Sequence, residues 1–226
     1  MIEIHNLKVS KGGKNILKGV SFEVEKGEVV VLLGENGAGK TTVIRAITGL
    51  EDYLGEIYID GYIPGKGGEE KISVLSQNFD PFGELRVKDI ISVISSYRYS
   101  VVNMLGISEM MEKRIRELSG GEKQRVGVAF ALMQKKEYIL LDEPTSNMDI
   151  SYSSQLAKLI KLERDAGKGI LIATHDLIFA HEVGDRFVFM KEGKVVYITS
   201  EEGFFFACTD VFGSNPYLEA LKSQTD

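Results

Sequence analysis

The run Val29-Val30-Val31-Leu32-Leu33-Gly34-Glu35-Asn36-Gly37-Ala38-Gly39-Lys40-Thr41-Thr42 decides the fold of this chain. Five consecutive apolar residues read as a strand buried on both faces. The eight residues from Gly34 to Thr41 then fit G-x-x-x-x-G-K-[ST] without a gap. From Lys40 a helical pattern runs to about residue 49, with Val43, Ile44 and Ile47 on one face. A glycine-rich turn between strand and helix suits a phosphate for physical reasons: backbone N–H groups turn inward around oxygen, and the helix adds the positive end of its dipole. Lys40 supplies a cation for β- and γ-phosphates, the Thr41 hydroxyl a ligand for Mg²⁺, and Thr42 a further phosphate contact. Asn36, Gly37, Ala38, Gly39, Lys40, Thr41 and Thr42 are thus the expected nucleotide-binding segment. A glycine turn without a ligand is the competing reading, and the complete match in its strand–helix context weighs against it. A dinucleotide fingerprint does not fit, because no third glycine follows Gly37-Ala38-Gly39.

Outward from this segment, apolar runs predict strands near 2–9, 21–24, 56–59, 72–75, 138–141 and 169–173. Helical patterns cover 120–135, 150–166 and 177–183, and 87–115 reads as mainly helix, broken near 103–106. Strands at 187–190 and 195–198 form a hairpin over Lys191-Glu192-Gly193-Lys194. Strands alternating with helices predict an α/β fold with a mainly parallel sheet, here one domain over 1–226. The antiparallel pieces sit at the N-terminus, a small helical lobe spans about 87–135, and a tail covers 201–226. Three consecutive aromatics in that tail, Phe204-Phe205-Phe206, read as divided between the core and neighbour packing rather than as a membrane wedge.

Composition narrows the function classes. The chain has 226 residues, 43% hydrophobic and 27% charged, which is globular rather than disordered. Its net charge of −6 disfavours a basic nucleic-acid surface, so no nucleic-acid partner is expected. No apolar run approaches the roughly 20 residues that span a bilayer, and the first residues lack the layout of a signal peptide. One cysteine, Cys208, excludes an internal disulfide framework and suits a reducing cytosol. Glycine stands out: 24 residues, about 11% against a usual 7% or so.

Two further segments carry chemistry. Tyr138-Ile139-Leu140-Leu141-Asp142-Glu143 is an apolar strand ending in two carboxylates. Ligands of open α/β sheets bind beyond the carboxyl ends of the strands, so both acids project toward the phosphates. Asp142 would hold Mg²⁺ through its water shell, and Glu143 would accept a proton from the attacking water. Taken alone, the pair reads equally well as an exposed strand end before a Pro144 turn. Leu118-Ser119-Gly120-Gly121-Glu122 opens a helix with the S-x-x-E spacing of a capping box, which accounts for Ser119 and Glu122. Gly120 and Gly121 cost helix propensity of about 1 kcal/mol each; they make sense where a phosphate must approach bare N–H groups.

With these segments the chain resembles the ATP-binding cassette (ABC) ATPases. Gly34 to Thr42 is similar to that family's Walker A, Tyr138 to Glu143 to its Walker B, and Leu118 to Glu122, continuing Lys123-Gln124-Arg125, to its signature. Gln77 stands where the Q-loop glutamine belongs, Ser146-Asn147-Met148-Asp149 where the D-loop lies, and His175 resembles the switch histidine. Read alone, Gln77 and His175 would be polar loop residues; their register with the rest raises them. The resemblance implies a P-loop NTPase core and two cassettes packed head to tail, a homodimer or a heterodimer with a second ABC ATPase. Each ATP would lie between one subunit's Lys40 loop and the other's Ser119, Gly120, Gly121 and Glu122. It implies Glu143, His175 and Gln77 as catalytic, Thr41, Gln77 and Asp142 on Mg²⁺, and Asp149 as the coupling residue across the interface. The expected function is an ATP-binding and ATP-hydrolysing subunit, peripheral on the cytoplasmic face of the cell membrane. It would power a separate transmembrane permease subunit, an importer of a metal ion, metal chelate or vitamin. A soluble ATPase of iron–sulfur cofactor assembly and a regulatory nucleotide-binding subunit are the alternatives. Three departures stand out: Lys11 replaces the family's adenine-stacking aromatic, Met148 its D-loop leucine, and only about 40 residues separate Gln77 from Leu118.

Overall fold

The apolar run becomes β3 (Val29–Leu33), buried at every position. The computed structural model describes residues 1–75, 83–94, 98–146 and 148–213. Ahead of β3 lie β1 (Ile2–Lys11) and β2 (Lys14–Val24); after it come α1 (Lys40–Ile47), β4 (Leu54–Ile59) and β5 (Ile72–Leu75). The chain continues through α2 (Val87–Ser92), α3 (Tyr99–Met104), α4 (Gly120–Met133), β6 (Tyr138–Asp142), α5 (Ile150–Asp165), β7 (Gly169–Thr174) and α6 (Leu177–Val183). It closes with β8 (Arg186–Lys191), β9 (Lys194–Thr199) and α7 (Glu201–Phe212).

Two sheets result, one of three strands in the order β2-β1-β4 and one of six in the order β5-β6-β7-β3-β8-β9. The three-stranded sheet is antiparallel. In the larger sheet β5, β6, β7, β3 and β8 run parallel, and β9 returns antiparallel to β8. Alternation along β3 divides the core. Val29, Val31 and Leu33 pack with the lobe and with α4 to α7, whereas Val30 and Leu32 pack with α1 and the antiparallel sheet. A strand apolar on both faces is the sequence consequence of a sheet covered on both sides. Each fully buried Val, Leu or Phe in these layers contributes about 1.5–3 kcal/mol relative to exposure.

The lobe departs from the mainly helical expectation. The described residues of 87–115 form two six-residue helices, α2 and α3, with a 3-10 turn at Ser108–Met110 and another beginning at Ile115. Long-range main-chain bonds replace helical ones there. The Val87 N–H donates to the Lys113 carbonyl at 3.0 Å, Lys88 to Met111 at 3.0 Å and Ile115 to Leu85 at 2.9 Å. The apolar residues of this stretch instead face the large core: Val87, Ile90, Val101, Leu105 and Ile107 are all buried. Arg98, just ahead of α3, clamps the lobe onto α5 through an ion pair with Glu163, which is buried and also lies 2.8 Å from Lys168.

The tail contains a helix that its aromatic run obscures. Phe204, Ala207, Cys208 and Val211 form the buried stripe of α7, and Glu201 and Glu202 fall in its first turn, where carboxylates complement the helix dipole. Phe204 packs against Phe187 at 4.5 Å between ring centroids, while Phe206 is 69% exposed beside Tyr197. The aromatics therefore do divide between core and surface. Burial pushes the Cys208 thiol up to about 12. Among the described residues no helix is long and apolar enough to cross a membrane.

Phe204→Ala should cost about 3–5 kcal/mol of unfolding free energy in urea titrations. Phe206→Ala should stay within about 0.5 kcal/mol. Equal effects would contradict the packing of α7.

Candidate active site

Because β3, β6 and β7 are parallel neighbours, the residues that follow them emerge at one edge of the sheet. The phosphate-loop residues follow β3, Glu143 follows β6, and His175 follows β7. Gln77, expected here as a catalytic and metal-binding residue, follows β5 in sequence and lies outside the described residues, as does Asn147.

α1 begins at Lys40 with Gly39 as its cap at φ 106°, with no side-chain cap and no acidic residue in the first turn. Its first amide groups are left for a ligand. The glycines serve different ends. A Cβ on Gly34 would lie 2.5 Å from the Met190 carbonyl oxygen, and one on Gly39 2.6 Å from Leu17 Cδ2. These two glycines let the loop seat against β8 and β2, a packing demand that the motif alone does not state. The result is a cleft of about 440 Å³ lined by Ile16, Asn36, Gly37, Gly39, Lys40, Thr41, Thr42 and Glu143. Ala38 lines an adjoining cavity of about 150 Å³ instead.

The acids sit as the strand predicts. Asp142 is buried, and its carboxylate accepts a hydrogen bond from the Thr41 hydroxyl at 3.2 Å. Burial raises the Asp142 carboxyl above its usual range; the Thr41 hydrogen bond opposes that and the Glu143 charge adds to it. Hydroxyl and carboxylate are hard oxygen donors suited to Mg²⁺, which keeps waters and takes phosphate oxygens rather than needing a protein cage. Among the described residues no group of three or more His, Cys, Asp or Glu gathers as one.

Glu143 adopts φ +50°, a left-handed backbone that costs a non-glycine residue on the order of 1–3 kcal/mol. Pro144 next to it disfavours right-handed helical geometry at this position. The Glu143 N–H donates to the Ala173 carbonyl in β7 at 2.8 Å. Its carboxylate lies 3.5 Å from the Lys40 ammonium and 2.9 Å from His175 Nδ1, and accepts from the Thr174 hydroxyl at 3.3 Å. Lys40 also donates to the Gly34 carbonyl at 2.7 Å. His175, expected as a catalytic residue, thus lies with its imidazole against the Glu143 carboxylate.

The second glycine motif forms the capping box: Ser119 accepts from the Glu122 N–H at 3.2 Å, and Glu122 accepts from the Ser119 N–H at 2.8 Å. Lys113 beside Glu122 holds that carboxyl down at about 2. Glu122 is thereby occupied within its own lobe, which accounts for it without a nucleotide. Gly120 has open space where a Cβ would stand, and a Cβ on Gly121 would touch Met148 Sδ at 3.6 Å. Asp149 caps α5, accepting from the Tyr152 N–H, and pairs with Arg125 at 3.1 Å. None of Ser119 to Glu122, nor Asp149, lines the phosphate cleft of its own chain.

Ile16 is the cleft residue that the motif analysis did not single out; its signal was an apolar residue flanked by polar Asn15 beyond the Gly12-Gly13 turn. Lys11 points elsewhere. Its ammonium pairs with Glu51 at 2.6 Å, Arg45 joins at 3.2 Å, and Lys11 leads in holding the Glu51 carboxyl below its usual range.

The family described as "ABC transporter" matches residues 17–146. A putative ABC transporter ATP-binding protein of Archaeoglobus fulgidus is 33% identical over 87% of this chain and 74% of its own length. The petrobactin import ATP-binding protein of Bacillus subtilis is 33% identical over 87% of this chain and 85% of its own. A phosphonates import ATP-binding protein of Alcaligenes faecalis is 34% identical over 87% and 82%, so the named cargo differs between relatives. A solved dimeric ATP-binding cassette, bound to ADP and Pi after hydrolysis, superposes with TM-score 0.78 at 26% identity, covering 89% of this chain and 99% of that one.

Lys40→Ala should lower triphosphate affinity by about a hundredfold, as expected for ~3 kcal/mol lost with a buried charge partner. Circular dichroism should remain native. Retained affinity in an equilibrium-binding titration would sink the phosphate-loop assignment.

Proposed function

The chain belongs to the ABC transporter family, and we propose that it is the ATP-binding subunit of an import system, seated on the cytoplasmic face of the cell membrane against a separate permease. It is an ABC ATPase, with hydrolysis coupled to transport. The observation that carries the residue assignment is the buried Lys40–Glu143 pair lining the cleft, with the exposed His175 imidazole 2.9 Å from the Glu143 carboxylate.

In this reading the helix-start amides and Lys40 hold the β- and γ-phosphates, and Thr42 adds a contact at the cleft wall. Thr41 and Asp142 would hold Mg²⁺, which would neutralise charge on the transferred phosphoryl group. An incoming phosphate competes with Glu143 for the Lys40 ammonium. Once Lys40 turns to it, Glu143 keeps Thr174 and His175 and is released to take a proton from the attacking water. His175 orients the carboxylate. Gln77, outside the described residues, would by its likeness to the Q-loop glutamine contact Mg²⁺ or the attacking water.

Ser119, Gly120 and Gly121 serve a second copy. Their distance in lining from their own cleft, the bare first turn of α4 and the dimeric solved cassette support a head-to-tail pair, of two identical chains or of this chain with a second cassette. The cargo is assigned to metal ions, metal chelates or vitamins, supported by the likeness to the petrobactin importer. Lys11, tied to Glu51, leaves Ile16 as the apolar wall next to the base, so discrimination between ATP and GTP is weak.

Glu143→Gln should bind MgATP, stop hydrolysing and elute as a dimer on size exclusion; hydrolysis at the wild-type rate would remove Glu143 as the base. Lys11→Tyr should shift relative affinity toward ATP over GTP, and an unchanged ratio contradicts the assignment at Lys11. Co-purification with a polytopic membrane protein supports the importer, whereas a soluble scaffold in its place overturns it.

A further inference from the structure

Gln124 stands one turn beyond the glycines of α4 and reaches back into its own subunit. Its side-chain amide N–H donates to the main-chain carbonyl of Glu143 at 3.0 Å, and the Ser146 N–H donates to the same oxygen at 3.2 Å. On the other side of that residue, the Glu143 N–H is held by Ala173. The two peptide groups flanking a left-handed Glu143 are thus tied to different bodies: one to β7 of the core, the other to α4 of the lobe. Neighbouring positions of α4 face the same stretch: Arg125 pairs with Asp149, and a Cβ on Gly121 would meet Met148. A rotation of the Glu143–Pro144 peptide would swing the carboxylate away from Lys40 and His175.

We propose that Gln124 is a positioning residue, holding the Glu143 carbonyl so that the carboxylate keeps its place in the cleft. A helix is rigid over two turns, so the same tether also makes Glu143 sensitive to what docks on Ser119-Gly120-Gly121. A nucleotide held by a second copy of the chain bears on that helix start. The catalytic base of one site is thereby linked to occupancy of the other, with the Gln124 amide as the link that reaches Glu143 itself. This inference rests on the reading of Glu143 as base and of the start of α4 as the second half-site.

The test uses the purified full chain with Gln124→Met, which keeps the volume and removes the donor, and Gln124→Glu. For Gln124→Met, kcat for ATP hydrolysis should fall by about tenfold or more, as for a displaced catalytic group, with MgATP affinity within about twofold. For Gln124→Glu, the introduced carboxyl regains an O–H donor on protonation, so its kcat relative to wild type should climb as pH is lowered. A packing defect gives no such climb. The proposal is overturned by a kcat within about twofold of wild type for Gln124→Met, by a flat pH ratio, or by affinity falling in step with kcat. Wild-type hydrolysis by Glu143→Gln overturns the base assignment and this role together. Loss of hydrolysis there with unimpaired Gln124 variants overturns this role alone.

Discussion

Lys40 and Glu143 face each other across 3.5 Å with side chains only 6% and 10% exposed, and much of the fold serves to keep that pair in register. Two charges withdrawn from water are costly unless each is matched and hydrogen-bonded. Here the ammonium also bonds the Gly34 carbonyl, and the carboxylate also meets Thr174 and His175. Each charge of the pair is thus matched and hydrogen-bonded within the chain.

That balance depends on geometry supplied from distant parts of the chain. Parallel strands bring the ends of β3, β6 and β7 together, and α1 aims its bare start at the space between them. Gly34 and Gly39 permit the loop to lie against Met190 and Leu17. At the other end of the sheet the Tyr138 hydroxyl bonds Asp60, and Lys71 bridges Asp60 and Glu137, which fastens the antiparallel layer to the core well away from the chemistry. The lobe shares the large apolar core, and Arg98 to Glu163 and the α4 contacts with 143–149 add polar links to it.

What the sequence disclosed was what is encoded locally. The phosphate loop, the strand ending in Asp142-Glu143 and the capping box each occupy a few consecutive residues with their own turn or cap chemistry, and each stands where the pattern placed it. Helix α4 of the lobe stands where its pattern placed it, but 87–115 was less legible, because main-chain bonds between segments more than twenty residues apart shape it beside the helical period. In α7 the period was present, with Phe204, Ala207, Cys208 and Val211 at helical spacing, but the aromatic run drew the reading toward side-chain chemistry. The left-handed Glu143, the withdrawal of Lys11 to Glu51 and the reach of Gln124 are tertiary facts. No spacing rule contains them.

The sealing of Cys208 within α7 bears on how such a molecule can be observed. It is the sole thiol of the chain, fully buried and held protonated at ordinary pH, since burial pushes it up to about 12. Thiolate, not thiol, reacts with maleimides and disulfides, so the native chain is close to silent toward cysteine reagents while folded. A cysteine introduced on the exposed start of α4 or beside the phosphate cleft would then be the only addressable one. Spin labels, fluorophores or cross-links could report the meeting of two chains in an otherwise unaltered core.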